Sequence, residues 1–394
     1  MRRVLLIFSL ALTGLLVGVL ALREGSDTQS VQVRASVRSL LGPGDEAGFR
    51  RAEAPGEIRL PRDHGPHPDY RSEWWYFTGN LSGESGREFG FQLTFFRFAL
   101  APTAPASPSA RSSSWASDQI YMAHFALTDA SRDEHRVVER LARGSAGLAG
   151  ARLEPFEVWL DDWVAQSTGV EFLPLQLSAR DAASGMELVL ELSPGKEPVR
   201  QGQDGLSQKG AGSGNASWYY SYTRLPAAGS LQVGGEQHAV SGFAWLDREW
   251  STSSLDAGVQ GWDWFSLQLD DGRDLMIYSL RQVDGQSAPQ SAGSLVARNG
   301  NSRLLSLNDF ELQPVQSWRS PATGVSWPLV WRLRLPQEAM ELEVRPTVSD
   351  QEQDLSVRYW EGSVDVFAPG GQERLGRGYM ELTGYQPPSA NSLP

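Results

Sequence analysis

The sequence predicts an all-β protein made of two antiparallel β-barrels side by side, preceded by an apolar N-terminal helix and a tether. Three observations lead to this prediction. Beyond residue 55, the chain consists of short runs of alternating or aromatic-rich residues, separated by Gly, Pro, Asn and Asp. Very little of it shows the period of about 3.6 residues that marks an amphipathic helix. One aromatic stretch near the start of the body also recurs about 190 residues later.

The N-terminus carries an export signal. Arg2 and Arg3 precede the uncharged run from Val4 to Leu22, and a basic start followed by an apolar segment is typical of such signals. The run is long for a cleaved signal peptide and long enough to span a bilayer, so residues 1–24 are predicted to be a signal peptide or a signal anchor. Residues 25–55 are predicted to form a flexible tether. Both alternatives place the body in the periplasm or elsewhere outside the cytoplasm, attached to the membrane where the segment is an anchor.

The residue pattern of the body is typical of antiparallel β-sheet. Runs such as "REFGFQLTFFRF", "GMELVLELSP" and "GYMELTGY" alternate in polarity or are rich in aromatic residues. Short runs of this kind with turn residues between them indicate antiparallel strands. Barrels are a stable arrangement for so many strands, because closing the sheet removes its exposed edges.

The recurring stretch predicts that the body contains two copies of one β-domain. The segment "EWWYFTGNLSGESGREFGFQL" aligns without gaps with "GWDWFSLQLDDGRDLMIYSL", so that Trp74 falls on Trp262. In both segments a turn containing glycine follows, and then another apolar strand. A repeat on this scale indicates paired domains rather than a solenoid. We therefore predict a first barrel over residues 56–250 and a second over residues 251–390.

Composition excludes several classes of function. The chain of 394 residues has 47 acidic against 35 basic side chains, whereas a nucleic-acid-binding surface is normally basic. It has no cysteine, which excludes disulfides, thiolate metal sites and a cysteine nucleophile. No two of its five histidines show metal-ligand spacing on one element. We predict no metal, no cofactor and no nucleic-acid partner.

Five motifs occur in one order along the chain: "HPDYRSEWWYFTGNL", "AHFALTD", "GNASWYYSYTRL", "FAWLDREWS" and "GRGYMELTGY". Together they resemble the AttH-like family of lipocalin-like proteins, which includes the carotenoid 1,2-hydratases (hydroxyneurosporene synthases). The resemblance spans residues 56–388 and implies two lipocalin-like barrels, in agreement with the internal repeat. Lipocalin barrels hold a small hydrophobic ligand. The AttH-like group is associated with ABC export systems, so the resemblance also implies a membrane transporter as a partner.

The first motif contains four adjacent aromatic residues after an acid, and successive side chains of a strand point to opposite faces. Glu73, Trp75 and Phe77 share one face of this strand, and Trp74 and Tyr76 share the other. One set is expected to line a barrel interior and the other to pack against the second barrel. The sequence leaves open which set does which, and we take Glu73, Trp75 and Phe77 as candidates for binding a ligand.

The resemblance to the hydratases implies an acid site. These enzymes add water across an isolated isoprenoid double bond, which needs a strong proton donor and stabilisation of a cation; a buried carboxylic acid and aromatic faces can supply both. The positions that match the family pattern carry Trp245 and Asp247, preceded by Trp218 and Tyr220. Asp247 is the candidate general acid, and the other three are candidates for binding the ligand. Trp218 replaces a histidine of the hydratases and Trp245 replaces their tyrosine, which puts the hydratase activity in doubt.

Structural interpretations of the same residues compete with the functional ones. Asp247 lies in the charged triplet "DRE", which is typical of a solvated turn or an interdomain salt bridge, and the three aromatic residues could be core. Glu73 could be a second acid or could form a buried ion pair with Arg71 or Arg97. His124 follows Met122 on one strand face and is either a ligand-binding residue or a hydrogen-bonded core histidine.

Two functions follow from these patterns. The first is an exported carrier that binds a lipid or isoprenoid-like molecule, working with an ABC export system. The second is a hydro-lyase of the carotenoid 1,2-hydratase type with Asp247 as general acid. Many exported members of the family are described as hydrolases, but the sequence has no G-x-S-x-G elbow to support a serine triad. The position of Asp247, in a cavity or on the surface, separates the two functions.

Overall fold

The fold consists of two antiparallel β-sheets, each curled around its own core. The structure is a computed structural model that describes residues 46–102, 117–252, 255–256 and 258–386. The strands of the first sheet are β1 Ser72–Gly83, β2 Glu88–Ala99, β3 Gln119–Asp129, β4 Glu134–Arg143, β5 Ala149–Arg152, β6 Glu157–Leu160, β7 Trp163–Ser167, β8 Leu175–Asp181, β9 Met186–Leu192, β10 Val199–Arg200, β11 Leu206–Gln208, β12 Ala216–Val233 and β13 Glu236–Ser251.

The second sheet follows the first along the chain. Its strands are β14 Val259–Leu269, β15 Asp274–Gln282, β16 Ala292–Val296, β17 Ser302–Ser306, β18 Glu311–Arg319, β19 Ser326–Leu335, β20 Met340–Pro346, β21 Glu352–Asp354, β22 Arg358–Phe367 and β23 Arg374–Thr383. The helices of the described residues are single 3₁₀ turns at Arg62–His64, Glu84–Gly86, Leu307–Asp309 and Pro336–Glu338. Among the described residues, which begin at residue 46, no helix is long and apolar enough to cross a membrane.

The two sheets have the same central topology. In the first, the order is β4-β3-β2-β1-β13-β12-β9-β8-β7-β6-β5, with β10 and β11 paired to β12. In the second, it is β17-β16-β15-β14-β23-β22-β20-β19-β18, with β21 paired to β22. In both sheets the first strand lies between the second strand and the last one. The predicted all-β fold with two barrel-like antiparallel sheets side by side is therefore confirmed.

The change from one sheet to the other follows the end of β13 at Ser251, next to the predicted boundary between residues 250 and 251. The predicted apolar helix and most of the predicted tether, residues 1–45, lie outside the described residues. The expectation of a signal peptide or anchor therefore stays a prediction.

Strand β1 contributes to two apolar regions at once. Trp75 and Phe77 are fully buried in the core of the first barrel. Trp74 and Tyr76 point the other way and belong to a separate aromatic cluster, which also contains Trp264 of β14. This alternation answers the question that the sequence left open, because the even-numbered residues are the ones that face the second barrel.

Polar contacts and close backbone approach hold the two barrels together. Asn80 Nδ2 donates to the Gly378 carbonyl at 2.9 Å, and Gln268 Nε2 donates to the Thr223 carbonyl at 2.7 Å. At one edge of the contact, Lys196 Nζ lies 2.7 Å from Asp274 Oδ2. These contacts span two sheets that belong to one compact unit. They fix the relative position of the side chains that line the space between the barrels.

Candidate functional site

A cleft between the two barrels is the candidate site. It contains about 1050 Å³ of space not filled by protein atoms, including space that is open to solvent. The first barrel lines it with Trp74, Tyr76, Phe96, Phe98, Met122, His124, Lys209, Tyr219, Asp247 and Glu249. The second barrel lines it with Trp262, Trp264, Tyr278, Leu280, Val357, Tyr359, Glu361 and Glu381, and Leu255 joins them from the connection between the sheets. The lining is thus rich in aromatic residues, with aliphatic side chains and four acids among them.

The candidate acid Asp247 lies in the wall of this cleft. It is part of β13, directly opposite Tyr76 of β1 on one side and Ser221 of β12 on the other. Only 4% of the residue is exposed. The hydroxyl of Tyr219 donates to Oδ2 at 2.6 Å, and the hydroxyl of Ser221 donates to Oδ1 at 2.5 Å. The indole of Trp245 also donates to Oδ1, at 2.6 Å.

The surroundings of Asp247 favour its protonated form. Within the described residues, no lysine, arginine or histidine lies within ion-pair distance of its carboxyl group. Burial raises the pKa of Asp247 to about 7, against the hydrogen bonds from Ser221, Tyr219 and Trp245, which lower it, and together with the charge of Glu249, which raises it. Asp247 therefore exists as both carboxylic acid and carboxylate near neutral pH, as a general acid requires.

Aromatic rings surround the acid on several sides. The ring of Tyr76 meets that of Trp264 edge to face with centroids 5.4 Å apart, and the rings of Trp245 and Trp264 are 6.3 Å apart. The Trp264 indole donates to the Tyr219 hydroxyl at 3.3 Å, so the second barrel contacts the group that hydrogen-bonds Asp247. Ring faces can stabilise a cation that forms beside them.

Lys209 brings a positive charge to the cleft, and Glu249 balances it. Lys209 Nζ lies 3.3 Å from Glu249 Oε1 and 4.0 Å from the centroid of the Tyr278 ring. Burial opposes the charge of Lys209, but the charge and hydrogen bond of Glu249, together with Tyr278 and Asp247, outweigh burial and raise the pKa of Lys209. The pair adds polar groups to the cleft without adding net charge.

His124 lies at the side of the cleft formed by β3. Its Nδ1 is hydrogen-bonded to the Tyr359 hydroxyl of the second barrel, and its Nε2 lies 2.9 Å from Glu139 Oε2. The ring also meets Phe96 edge to face at 5.3 Å. Both ring nitrogens thus have protein partners, so the structure combines the two interpretations that the sequence offered: a hydrogen-bonded histidine that lines the cleft.

Trp218 and Tyr220 are placed in the core of the first barrel and not beside Asp247. The Trp218 indole donates to the Tyr70 hydroxyl at 3.0 Å, and the Tyr220 hydroxyl is 2.7 Å from His64 Nδ1. The reason is the pairing of β12 with β13, which sets Ser221 opposite Asp247. Residues of β12 that share the face of Asp247 are therefore the odd-numbered ones. Trp245, two residues before Asp247 on its own strand, does contact it.

Glu73, Trp75 and Phe77 also face the first-barrel interior. Glu73 accepts hydrogen bonds from Arg97 and, at 3.1 Å, from Arg248 Nη2. Burial alone would raise the pKa of Glu73, but the charge of Arg97, the hydrogen bond from His67 and the charge of Arg248 hold it below its ordinary value. The lowered pKa keeps Glu73 ionised at neutral pH, as the partner of two arginines.

The charged triplet that contains Asp247 is not a solvated turn. All three residues belong to β13 and are buried. Arg248 points inward to Glu73, with its guanidinium 4.0 Å from the centroid of the Trp75 ring. Asp247 and Glu249 point outward into the cleft. The alternation of a strand thus separates an internal ion pair from two acids at the site.

Several residues of the site could not be predicted from local sequence patterns. Tyr219 and Ser221 contact Asp247 through strand pairing, and Lys209 reaches the cleft from the loop after β11. The internal repeat, in contrast, could have identified Trp264, because it aligns Trp264 with Tyr76 and both residues face the cleft. Within the described residues, no group of three His, Cys, Asp or Glu side chains is arranged to hold a metal ion.

Comparisons with known proteins agree with this architecture. The family model described as AttH-like matches residues 51–385. A crystal structure of an AttH-like protein from Nitrosomonas europaea is 35% identical, with a TM-score of 0.74, over 86% of this chain and 100% of that one. Kievitone hydratase from Nectria haematococca shares the fold at 15% identity, with a TM-score of 0.61, over 86% of this chain and 98% of that one. No curated protein sequence matches the chain.

Proposed function

Since the chain belongs to the AttH-like family, we propose that it binds a hydrophobic, isoprenoid-like molecule in the cleft between its barrels and hydrates a double bond there. Asp247 is the general acid of this reaction. The observation that carries the proposal is the environment of Asp247, a buried acid with three hydrogen-bond donors and no cation, whose pKa is raised to about 7. A purely structural acid of this chain, Glu73, is instead paired with arginines.

The reaction starts with transfer of the Asp247 proton to one carbon of the double bond. The π electrons form the new C–H bond, and the positive charge develops on the more substituted carbon. The faces of Tyr76, Trp264 and Trp245 can stabilise this charge, and ionised Asp247 adds a negative charge beside it. Attack by water then forms the C–O bond, and the attacking oxygen gives up one of its protons to a base, so that the product is a neutral alcohol. The same steps in reverse remove water from an alcohol.

Only one of the two departures from the hydratase pattern is at a residue that contacts Asp247. Trp218, which stands where the resemblance implies a histidine, lies in the first-barrel core and does not contact Asp247. Trp245, which stands where the resemblance implies a tyrosine, keeps a hydrogen bond to Asp247 through its indole. Loss of the histidine therefore leaves the proton donor and its hydrogen bonds in place. Kievitone hydratase, a protein with the same fold, is named for a hydration reaction. It supports the type of reaction that we propose but not a particular substrate.

Hydration is tested with farnesol, an acyclic isoprenoid alcohol, as the probe. Incubation in ¹⁸O-labelled water followed by mass spectrometry detects product that has gained one labelled oxygen. Asp247→Asn should reduce the rate by about a hundredfold or more, because a general acid typically contributes this much. Binding of farnesol, measured by quenching of tryptophan fluorescence, should change only a few-fold, since the amide keeps the size of the acid.

Substitutions at two neighbouring tyrosines, Tyr219 and Tyr220, further test the role of Asp247. Tyr219→Phe removes a hydrogen bond that lowers the pKa of Asp247, so the pH at which activity falls should move to higher values. Tyr220→Phe removes a hydroxyl from the neighbouring residue, which faces the barrel core, and should leave this pH unchanged. Equal effects of the two substitutions, or no effect of Tyr219→Phe on the pH profile, would contradict the assignment of Asp247.

The second candidate function is a carrier that uses the same cleft without chemistry. The aromatic lining supports it, because an apolar molecule of modest size can be held there by burial alone. The predicted export segment, residues 1–24, and the resemblance to proteins that work with ABC export systems add a location outside the cytoplasm and a membrane transporter to this proposal. Farnesol that binds but gains no labelled oxygen, with equal binding in Asp247→Asn, would favour the carrier.

A further inference from the structure

The second barrel repeats the geometry of the acid site with one change. Asp247 lies opposite Tyr76 of β1, and in the same place Glu381 of β23 lies opposite Trp264 of β14. On its other side Asp247 lies opposite Ser221, whereas Glu381 lies opposite Glu361 of β22. Where the first barrel supplies a hydroxyl group to its acid, the second barrel therefore supplies another carboxyl group.

Two carboxyl groups in this position cannot both be ionised at low cost. Side chains directly opposite each other on antiparallel strands have Cβ atoms about 4.5–5.5 Å apart, and like charges there repel. Glu361 is 2% exposed and Glu381 is half-buried at the cleft. Burial and mutual repulsion raise the pKa of Glu361, and burial raises that of Glu381. These effects favour a state in which one proton is shared between the two carboxyl groups.

The pair has free hydrogen-bonding capacity at the cleft. Glu361 Oε2 accepts from Gln92 Nε2 of the first barrel at 3.0 Å, which fixes the carboxyl group. Glu361 Oε1 and the hydroxyl of Tyr76 are both buried and lie beside each other, and no other group of the described residues forms a hydrogen bond with either atom. The acceptor and the donor have no other partners, so a polar group that enters the cleft can bond to both.

The charged and titratable groups around the pair come from both barrels. They are Tyr76 of β1, Asp247 and Glu249 of β13, Tyr359 of β22 and Tyr379 of β23. Within the described residues, no lysine, arginine or histidine lies within ion-pair distance of either glutamate. The pair is thus not half of a structural ion pair, in contrast to Glu73 in the first barrel.

We propose that the Glu361–Glu381 pair is the general base of the hydration reaction, acting across the cleft from Asp247. This assignment rests on the proposed function. Asp247 gives its proton to carbon, and the oxygen of water forms a bond to the cationic carbon. The proton that this water loses goes to the glutamate pair, which then holds two protons, while Asp247 is left ionised. Exchange with solvent in the cleft returns one proton from the pair to Asp247.

The first test measures the shared proton without any substrate. A protonated carboxyl group has an infrared C=O stretching band that a carboxylate lacks. At neutral pH the wild-type protein should show this band, and both Glu361→Gln and Glu381→Gln should weaken it, because the remaining glutamate loses its charged neighbour and ionises more easily. Glu341→Gln, an exposed acid of the second barrel, should leave it unchanged. A band that neither substitution alters would overturn the shared proton.

The second test uses farnesol in labelled water. Glu361→Gln and Glu381→Gln should each lower the rate by about a hundredfold, with farnesol affinity changed only a few-fold. Glu381→Asp should recover part of the rate, which a role in packing would not predict. The fall of residual activity at high pH, which reports Asp247, should persist in the glutamine variants. Full activity in them, with Asp247→Asn inactive, would overturn this inference and leave the proposed function intact. Wild-type protein that makes no product would instead count against both.

Discussion

Asp247→Asn is expected to change how the stability of the protein depends on pH. Burial raises the pKa of Asp247 from 3.8 to about 7 in the folded protein. The folded chain therefore binds this proton more tightly than the unfolded chain does. At about 1.4 kcal/mol for each pH unit between the two values, ionising the folded Asp247 costs about 4 kcal/mol of stability.

The direction of the effect follows from proton linkage. Because the pKa is raised on folding, the stability associated with the bound proton is fully present below about pH 4 and is lost as the pH rises through about pH 7. Above that pH the proton is lost from both states, and the loss is complete. Asparagine has no such proton. Relative to the wild-type protein, Asp247→Asn should therefore gain about 4 kcal/mol in its free energy of unfolding between about pH 4 and about pH 8.

Urea unfolding at a series of pH values, followed by tryptophan fluorescence, measures this difference. The quantity of interest is the free energy of unfolding of the variant minus that of the wild type at each pH. Asp284→Asn, which neutralises an exposed acid of the second barrel, controls for the loss of one surface charge. A difference between Asp247→Asn and wild type that is the same at every pH would refute the raised pKa, and with it the reason for regarding Asp247 as a general acid.

Two further predictions concern the scaffold of the site. A Cβ atom at Gly90 would lie 2.7 Å from Ser363 Cβ in the other barrel, so Gly90→Ala should lower the free energy of unfolding by about 1–3 kcal/mol through overpacking. Gly169→Ala is the control, because a Cβ there meets no atom within 4 Å and should change the free energy of unfolding little. Equal losses for the two variants in urea unfolding would show that the barrels do not meet at Gly90. Glu73→Gln should lower the free energy of unfolding by on the order of 3 kcal/mol, because it leaves Arg97 and Arg248 buried without a counter-charge. Unchanged stability in urea unfolding would mean that Glu73 does not balance these two cations.

The sequence predicts the fold well because its signals are local. Alternation, turn residues and the repeat that aligns Trp74 with Trp262 are all visible within short windows of the chain. They suffice for two antiparallel barrels, since each run can form only strands and each needs neighbours to cover its apolar face. Even the position of Asp247 follows from a local motif, the aromatic residue and acid at 245 and 247.

The partners of Asp247 could not be predicted in the same way. The family pattern predicts Trp218 and Tyr220 as neighbours of Asp247, but the register of β12 against β13 places Tyr219 and Ser221 there instead. A shift of one residue in strand pairing turns every side chain to the other face. Sequence patterns do not fix this register when both faces of a strand are apolar, as they are in "SWYYSY".

The residues that the second barrel contributes to the site could not be predicted from the sequence for a different reason. Glu361 and Glu381 become a pair only through the pairing of β22 with β23, and they face Asp247 only because the barrels pack together. Nothing in either short segment signals that contact. Once two copies of one domain are expected, however, the position of Asp247 in the first copy predicts an equivalent position in the second, and that position is Glu381.

The alternation along β1 also bears on how such a protein can diversify. Trp75 and Phe77 are buried in the core of the first barrel, while Trp74 and Tyr76, their immediate neighbours in the chain, line the cleft where we propose that a ligand binds. A substitution at an even-numbered position can therefore alter which molecules are accepted without removing a side chain from the core. An insertion or deletion of one residue in the same strand would exchange the two sets and disrupt both. Natural variation in ligand preference should accordingly proceed here by substitution, with the length of this strand held constant.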